Sequence, residues 1–166
     1  MSSFITQIYK KTKTKTTGIA FLDRDGTIVR GRDFLTDKKE IKFYKHTSSA
    51  ISLLNKNNFL VIIITNQPVV ARGWISENKL KELNNLIVKK LNKKGSIINA
   101  IYSCPHHPEA SIKKYKKICS CRKPGTLMLE GAMKDFRIKN KPVFMVGDKT
   151  VDVKCGKDFG IKSILL

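Results

Sequence analysis

The stretch Gly18-Ile19-Ala20-Phe21-Leu22-Asp23-Arg24-Asp25-Gly26-Thr27 decides how the rest of the chain is read. Its first five residues carry no charge, the pattern of a strand buried on both faces of a parallel sheet. The apolar run stops at two aspartates one residue apart, followed by glycine and threonine. A polar turn therefore sits at the carboxyl end of a buried strand, and in open α/β sheets that is where ligands bind.

Working outward, the pattern repeats. Residues 59–64 form a second apolar run, rich in β-branched side chains, which ends in Thr65-Asn66-Gln67. Residues 97–102, 142–146 and 161–166 supply three more strands, and the fourth ends in Gly147-Asp148-Lys149-Thr150-Val151-Asp152. Helical patterns separate them. Thr47 is placed to cap a helix with Ala50, Ile51 and Leu54 on one face. Ser76 is placed to cap another, with Leu80, Leu83, Ile87 and Leu91 at helical spacing and Gly95 past its end. Residues 125–137 make a third, carrying Met128, Ala132 and Phe136 on one side, and Arg122-Lys123-Pro124 precede it. This alternation predicts an α/β fold with a mainly parallel sheet and helices on both faces.

The 166 residues, 41% of them hydrophobic, suit one domain with a single core. Residues 18–166 are expected to form it. Residues 1–17 show no period and carry the lysine- and threonine-rich run Lys10 to Thr17, so they are expected to be a poorly ordered basic lead-in. No apolar stretch approaches the ~20 residues that span a bilayer, and the first residues lack the apolar segment of a secretory signal. A cytoplasmic monomer without a membrane partner is expected. The chain ends with its last strand at Leu166, which is expected to be an exposed edge.

The formal net charge is +20. Such an excess suits a polyanion such as nucleic acid. Here the lysines are scattered, do not alternate with aromatics, and accompany many Ile and Asn. A compositional origin is preferred, and nucleic acid is not the expected partner. A positive field still favours the approach of a phosphorylated substrate, more so at low salt.

Four polar clusters sit at strand ends or ahead of a helix, and together they suggest a chemistry. Asp23 and Asp148 offer two carboxylate oxygens, and a backbone carbonyl near Asp25 a third, to a hard cation such as Mg²⁺. Thr65 and Lys123 suit a phosphoryl group, one by a hydroxyl and one by a point charge. A carboxylate nucleophile would give an aspartyl-phosphate, and a neighbouring carboxyl can protonate the leaving oxygen and then activate water.

A second constellation lies apart from these. Cys104, His106, Cys119 and Cys121 flank residues 107–118. Three thiolates and one imidazole make a closed tetrahedral Zn²⁺ site, with no open position for water. It is read as structural, pinning the loop that leads into Arg122 and Lys123. His107 competes with His106 for the ligand role. Lys113, Lys114, Lys116 and Lys117 lie in the same loop and are read as solvated. Cys155 is expected in the core.

Asp23-x-Asp25-Gly26-Thr27, Thr65, Lys123 and Gly147-Asp148 with Asp152 resemble the four motifs of the haloacid-dehalogenase-like (HAD) phosphatases, over residues 18–166. The resemblance implies a Rossmann-like three-layer sandwich. It implies Asp23 as nucleophile, Asp25 as general acid/base, Thr65 and Lys123 as stabilisers of the transferring phosphoryl, and Asp148 as a Mg²⁺ ligand. Asp152 and Lys149 are expected to support the metal site or Lys123 from behind. Cys104-Pro105-His106-His107-Pro108, then Cys119-x-Cys121-Arg122-Lys123-Pro124, is similar to the heptose bisphosphate and histidinol-phosphate phosphatases, small members without a large cap domain.

Ala71-Arg72-Gly73 looks more like the heptose branch, where Arg122 is a substrate contact. Asn66, Gln67 and Arg72 are taken as further substrate-binding residues. Pro68-Val69-Val70 departs from the small polar residue and glycine of that branch, in a loop expected to border the substrate, so the anomer of the sugar stays open. The resemblance implies Mg²⁺-dependent removal of the C7 phosphate from D-glycero-D-manno-heptose 1,7-bisphosphate, for nucleotide-activated heptose. The alternative is histidinol-phosphate phosphatase. A polynucleotide 3′-phosphatase would suit the charge, but that branch generally lacks the zinc loop. Intact catalytic positions disfavour a non-catalytic binding protein.

Overall fold

The computed structural model describes residues 4–11, 16–31 and 34–166. Its strands are β1 (Ile5–Ile8), β2 (Gly18–Leu22), β3 (Phe59–Asn66), β4 (Ala100–Cys104), β5 (Val143–Gly147) and β6 (Lys162–Leu165). They form one sheet in the order β1-β4-β3-β2-β5-β6, parallel throughout except for β1 against β4. The chain leaves β2 toward β3 and β4 on one side, then returns to β5 and β6 on the other. The order thus reverses beside β2, so the ends of β2 and β5 open a crevice there.

The helices are α1 (Thr47–Lys56), α2 (Pro68–Ala71), α3 (Glu77–Asn92), α4 (Leu127–Phe136) and α5 (Thr150–Asp158). Side chains of a strand alternate between faces, and two cores follow from that. Ala20, Leu22, Val61 and Ile63 pack with Ile51 of α1 and Leu83, Ile87 and Leu91 of α3. Ile19, Phe21, Leu60 and Ile62 pack with Met128, Leu129 and Ala132 of α4 and Cys155 of α5. This is the expected three-layer α/β sandwich, and Cys155 lies in its core. No helix among the described residues is long and apolar enough to cross a membrane.

Several local expectations change. Residues 5–8, assigned to the lead-in, form a strand on β4, with Ile5 buried; four residues are too few to show a period. Residues 12–15 of the basic run lie outside the described residues. The third strand starts at Ala100 rather than at residue 97, because the Asn99 side chain itself accepts the Val61 N–H at 2.9 Å. Thr47 is not the cap of α1: His46 holds that position, and the Thr47 hydroxyl donates to the Ile28 carbonyl. Ser76 does cap α3, accepting the Lys79 N–H at 3.1 Å. β6 is an edge, with Ile164 and Leu165 largely exposed.

Candidate active site and thiol cluster

Asp23 is the first residue beyond β2, and its N–H donates to Val146 of β5. The turn then doubles back through Gly26, whose φ of +94° favours glycine. A Cβ there would meet the Asp148 carboxylate at 2.2 Å. The glycine is therefore what lets the turn after β2 approach the turn after β5. Gly147 does the same one layer deeper, since a Cβ on it would strike Asp152 at 2.3 Å.

These approaches bring the carboxylates of Asp23, Asp148 and Asp152 within 4.8 Å of one another. Lys123 reaches in from the loop ahead of α4 and is 4% exposed. Its Nζ donates to Asp23 Oδ1 at 2.6 Å and to the Ile64 carbonyl at 2.8 Å, and pairs with Asp152 at 2.5 Å. Burial works against the Lys123 ammonium, but the two carboxylates more than offset it and hold its pKa above the usual lysine value. Burial pushes Asp23 up to about 6, Lys123 opposing and Asp152 and Asp25 adding to the rise. Asp148 Oδ1 is buried without a hydrogen-bond partner. Three crowded carboxylates, one with an orphaned oxygen, fit a hard divalent cation.

Asp23, Asp25, Thr65, Lys123 and Asp152 line a cleft of about 170 Å³, with Phe34, Pro68 and Arg122 on its walls. Asp148 sits outside this wall, against Gly26. Asp152, expected to support the metal site or Lys123, stands with Asp23 and Asp148 and bonds Lys123. Its other oxygen accepts the backbone N–H of Lys149 at 3.0 Å.

The Asp25 carboxylate, on the other hand, does not join the cation group. Both its oxygens accept from the Arg24 guanidinium, at 3.0 and 2.9 Å, and Oδ2 also accepts from Gln67 at 2.7 Å.

The expected substrate-binding residues separate. Arg122 lines the cleft and is fixed by a bond from Nη1 to the His106 carbonyl at 3.2 Å. Asn66 lines it too, but both ends of its amide clamp the Lys123 backbone, at 3.0 and 3.1 Å. Gln67 is fully buried and outside the wall; it holds Asp25 and the Thr65 hydroxyl, the latter at 2.8 Å. Arg72 also lies outside the wall, its guanidinium 4.8 Å from the Phe34 ring and 5.0 Å from the Trp74 ring. Val69 and Val70 turn into a third apolar cluster with Leu80 and Tyr115, so only Pro68 of that expected loop faces the cleft. Consecutive residues on a helical turn cannot all point one way, which the sequence did not reveal because α2 is four residues long.

Sequence reasoning missed Arg24, Phe34 and Asn84. Asn84 is fully buried on α3 and accepts from Arg24 Nη1 at 2.8 Å. The available signal was a polar residue four positions after Leu80, on the apolar stripe of its helix.

The second constellation is assembled as well. Cys104 ends β4, and the loop through residues 107–118 returns Cys119 and Cys121 to it. The three sulfurs lie 3.0, 3.3 and 3.6 Å apart, and His106 Nδ1 is 3.3 Å from Cys121 Sγ. These four donors converge within 4.8 Å, and none of the cysteines is in a disulfide. The hydrogen bond from Cys121 draws the Cys104 thiol down to about 7, while that same bond and burial push Cys121 up. His107 is excluded from the group: its Nδ1 accepts the Glu109 N–H at 3.1 Å. Lys114 is solvent-exposed and pairs with Glu77.

Known proteins resemble this chain in sequence and in fold. The HAD-hydrolase-like family profile matches residues 120–166, which carry Lys123, Asp148 and Asp152. A D-glycero-alpha-D-manno-heptose-1,7-bisphosphate 7-phosphatase of Photorhabdus laumondii is 38% identical over 89% of this chain and 81% of its own. A D-glycero-beta-D-manno-heptose-1,7-bisphosphate 7-phosphatase of Haemophilus ducreyi is 33% identical over 88% and 80%. The crystal structure of the D,D-heptose 1,7-bisphosphate phosphatase of B. bronchiseptica, complexed with magnesium and phosphate, is 27% identical. It superposes with a TM-score of 0.78 over 89% of this chain and 79% of its own. Identity of a third or more along four-fifths of the relatives' length goes beyond a common fold: the chain belongs to the heptose-bisphosphate 7-phosphatase family of HAD-like hydrolases.

Proposed function

We propose that the enzyme removes the C7 phosphate of D-glycero-D-manno-heptose 1,7-bisphosphate with Mg²⁺, through a phosphoryl group carried on Asp23. The observation that carries this reading is a cleft lined by Asp23, Asp25, Thr65 and Lys123 in a chain matched over 88–89% of its length to relatives named for that reaction.

Asp23 and Asp148 would hold the Mg²⁺, with Asp152 behind them, and the bound ion would offset charge on the phosphoryl oxygens. An Asp23 carboxylate oxygen attacks phosphorus, and the bond to the sugar oxygen breaks. Asp25 gives the departing oxygen its proton. Water then attacks the aspartyl-phosphate and gives a proton to Asp25, releasing phosphate and restoring Asp23. Lys123 and Thr65 hold the phosphoryl oxygens. The cleft of about 170 Å³ suits the phosphoryl end of the substrate, which leaves the sugar against Phe34, Pro68 and Arg122. The four-donor cluster would hold one Zn²⁺ with no open position, fixing Cys121 and so the adjoining Arg122 and Lys123.

Phosphate release in Mg²⁺ buffer should vanish on adding EDTA and return with excess Mg²⁺; turnover that persists in cation-free buffer contradicts the proposed site. The pH dependence follows from Asp23. Its pKa in the folded, cation-free protein is about 6 against 3.8 ordinarily. A raised folded value means that the stability it contributes is present at low pH and is lost as pH rises through about 6. Mg²⁺ then has to displace a proton below about pH 6, so its affinity should fall about tenfold per pH unit there. The rise in Tm on adding Mg²⁺ should be larger near pH ~7.5 than near pH ~5. Equal shifts would show that Asp23 does not bind the cation.

A further inference from the structure

Arg24 lies between two catalytic aspartates and is fully buried. A guanidinium stays charged at every working pH, and burying it is costly unless every face is paired. Here each face has a partner. Nε and Nη2 form a fork on the two oxygens of Asp25, and Nη1 donates to Asn84 Oδ1 at 2.8 Å. The other end of the Asn84 amide donates to Gln7 Oε1 at 2.9 Å. Gln7, in turn, donates from Nε2 to the Lys81 carbonyl at 3.1 Å and to Asn85 Oδ1 at 2.9 Å. The amides are therefore ordered head to tail. The Lys81 carbonyl orients Gln7, Gln7 orients Asn84, Asn84 orients Arg24, and the Arg24 fork orients Asp25. Gln67 closes the far side of that carboxylate and holds the Thr65 hydroxyl.

We propose that Arg24, Asn84 and Gln7 are positioning residues that aim the Asp25 carboxylate as the base for hydrolysis of the aspartyl-phosphate. This makes edge strand β1, which carries Gln7, part of the catalytic apparatus. The inference rests on the reading of Asp25 as the acid/base above. The step it concerns balances simply: a water oxygen forms a bond to phosphorus, the bond from phosphorus to Asp23 breaks with its electron pair going to the carboxylate, and the water proton passes to Asp25. A fork that grips both oxygens sets the rotation of the carboxylate, and hence which lone pair meets the water.

The test uses an aryl phosphate, whose leaving group departs without a proton, so only the second step needs Asp25. Release of the aryl alcohol is followed before and during steady state. Asp25→Asn should give a burst approaching one equivalent per enzyme, with steady-state turnover slower by about 10²–10⁴-fold. Asn84→Leu, Gln7→Leu and Arg24→Lys should each keep the burst rate and slow the steady state, by about tenfold or more for Asn84→Leu. Gln7→Leu, on a part-exposed edge strand, guards against misfolding of the more buried variants. A burst and a steady state that fall together would assign the network to folding alone and overturn the proposal. So would wild-type behaviour of Gln7→Leu and Asn84→Leu beside an affected Asp25→Asn. If Asp25→Asn itself turns over normally, the acid/base reading fails instead.

Discussion

Asp23→Asn is expected to lower kcat by about 10⁴-fold or more, because an amide oxygen cannot take and pass on the phosphoryl group as a carboxylate does. The same change withdraws a charge from the cation and one of the two carboxylates that hold Lys123. Stability should move the other way. Burial raises the pKa of Asp23, so the ionised side chain costs stability above about pH 6. The variant without cation should therefore melt no lower than the parent at pH ~7.5, and the Tm rise caused by Mg²⁺ should shrink. Phosphate release and melting curves on the same preparation check both. A loss of activity under about tenfold would place the nucleophile elsewhere.

Cys121→Ser is the second large effect. Cys121 is fully buried, touches the other donors of its cluster, and is followed directly by Arg122 and Lys123. A serine hydroxyl is a poor fourth ligand for a site built of thiolates and imidazole. The parent should carry about one Zn²⁺ per chain and the variant much less. Since metal binding in such a loop contributes directly to folding, the variant should melt well below the parent. Its kcat/KM should fall about tenfold or more as Lys123 loses its anchor, by analogy with the loss of supporting groups at other metal sites. Zinc-free parent protein with full activity would contradict this role for the loop.

The layers of the fold were legible because buried parallel strands read as unbroken apolar runs, and 18–22 and 59–64 are of that kind. The polar turns after them were legible for the same reason, since each interrupts such a run. What escaped was set by tertiary pairing. β1 has four residues, and only the exposed edge of β4 gives it a place. The expected capping role of Thr47 failed because its hydroxyl found the Ile28 carbonyl, a partner distant in sequence. Within the site, spacing identified the acidic residues but not their division of labour. Asp152 stands with Asp23 and Asp148 because Gly147 has no side chain to hold it off, whereas the carboxylate of Asp25 turns to Arg24. Asn66 and Gln67 sit at the end of β3 as substrate-binding residues would, yet their amides are spent on Asp25, Thr65 and the Lys123 backbone.

The most direct measurement is kcat/KM for phosphate release with Mg²⁺ from both anomers of D-glycero-D-manno-heptose 1,7-bisphosphate, histidinol phosphate and a 3′-phosphorylated oligonucleotide, with Asp23→Asn as the blank. A heptose bisphosphate should be preferred by about a hundredfold or more, the anomer ratio reporting on the wall that Pro68 and Arg122 form. Equal rates on all four, or a preference for histidinol phosphate or the oligonucleotide, would contradict it.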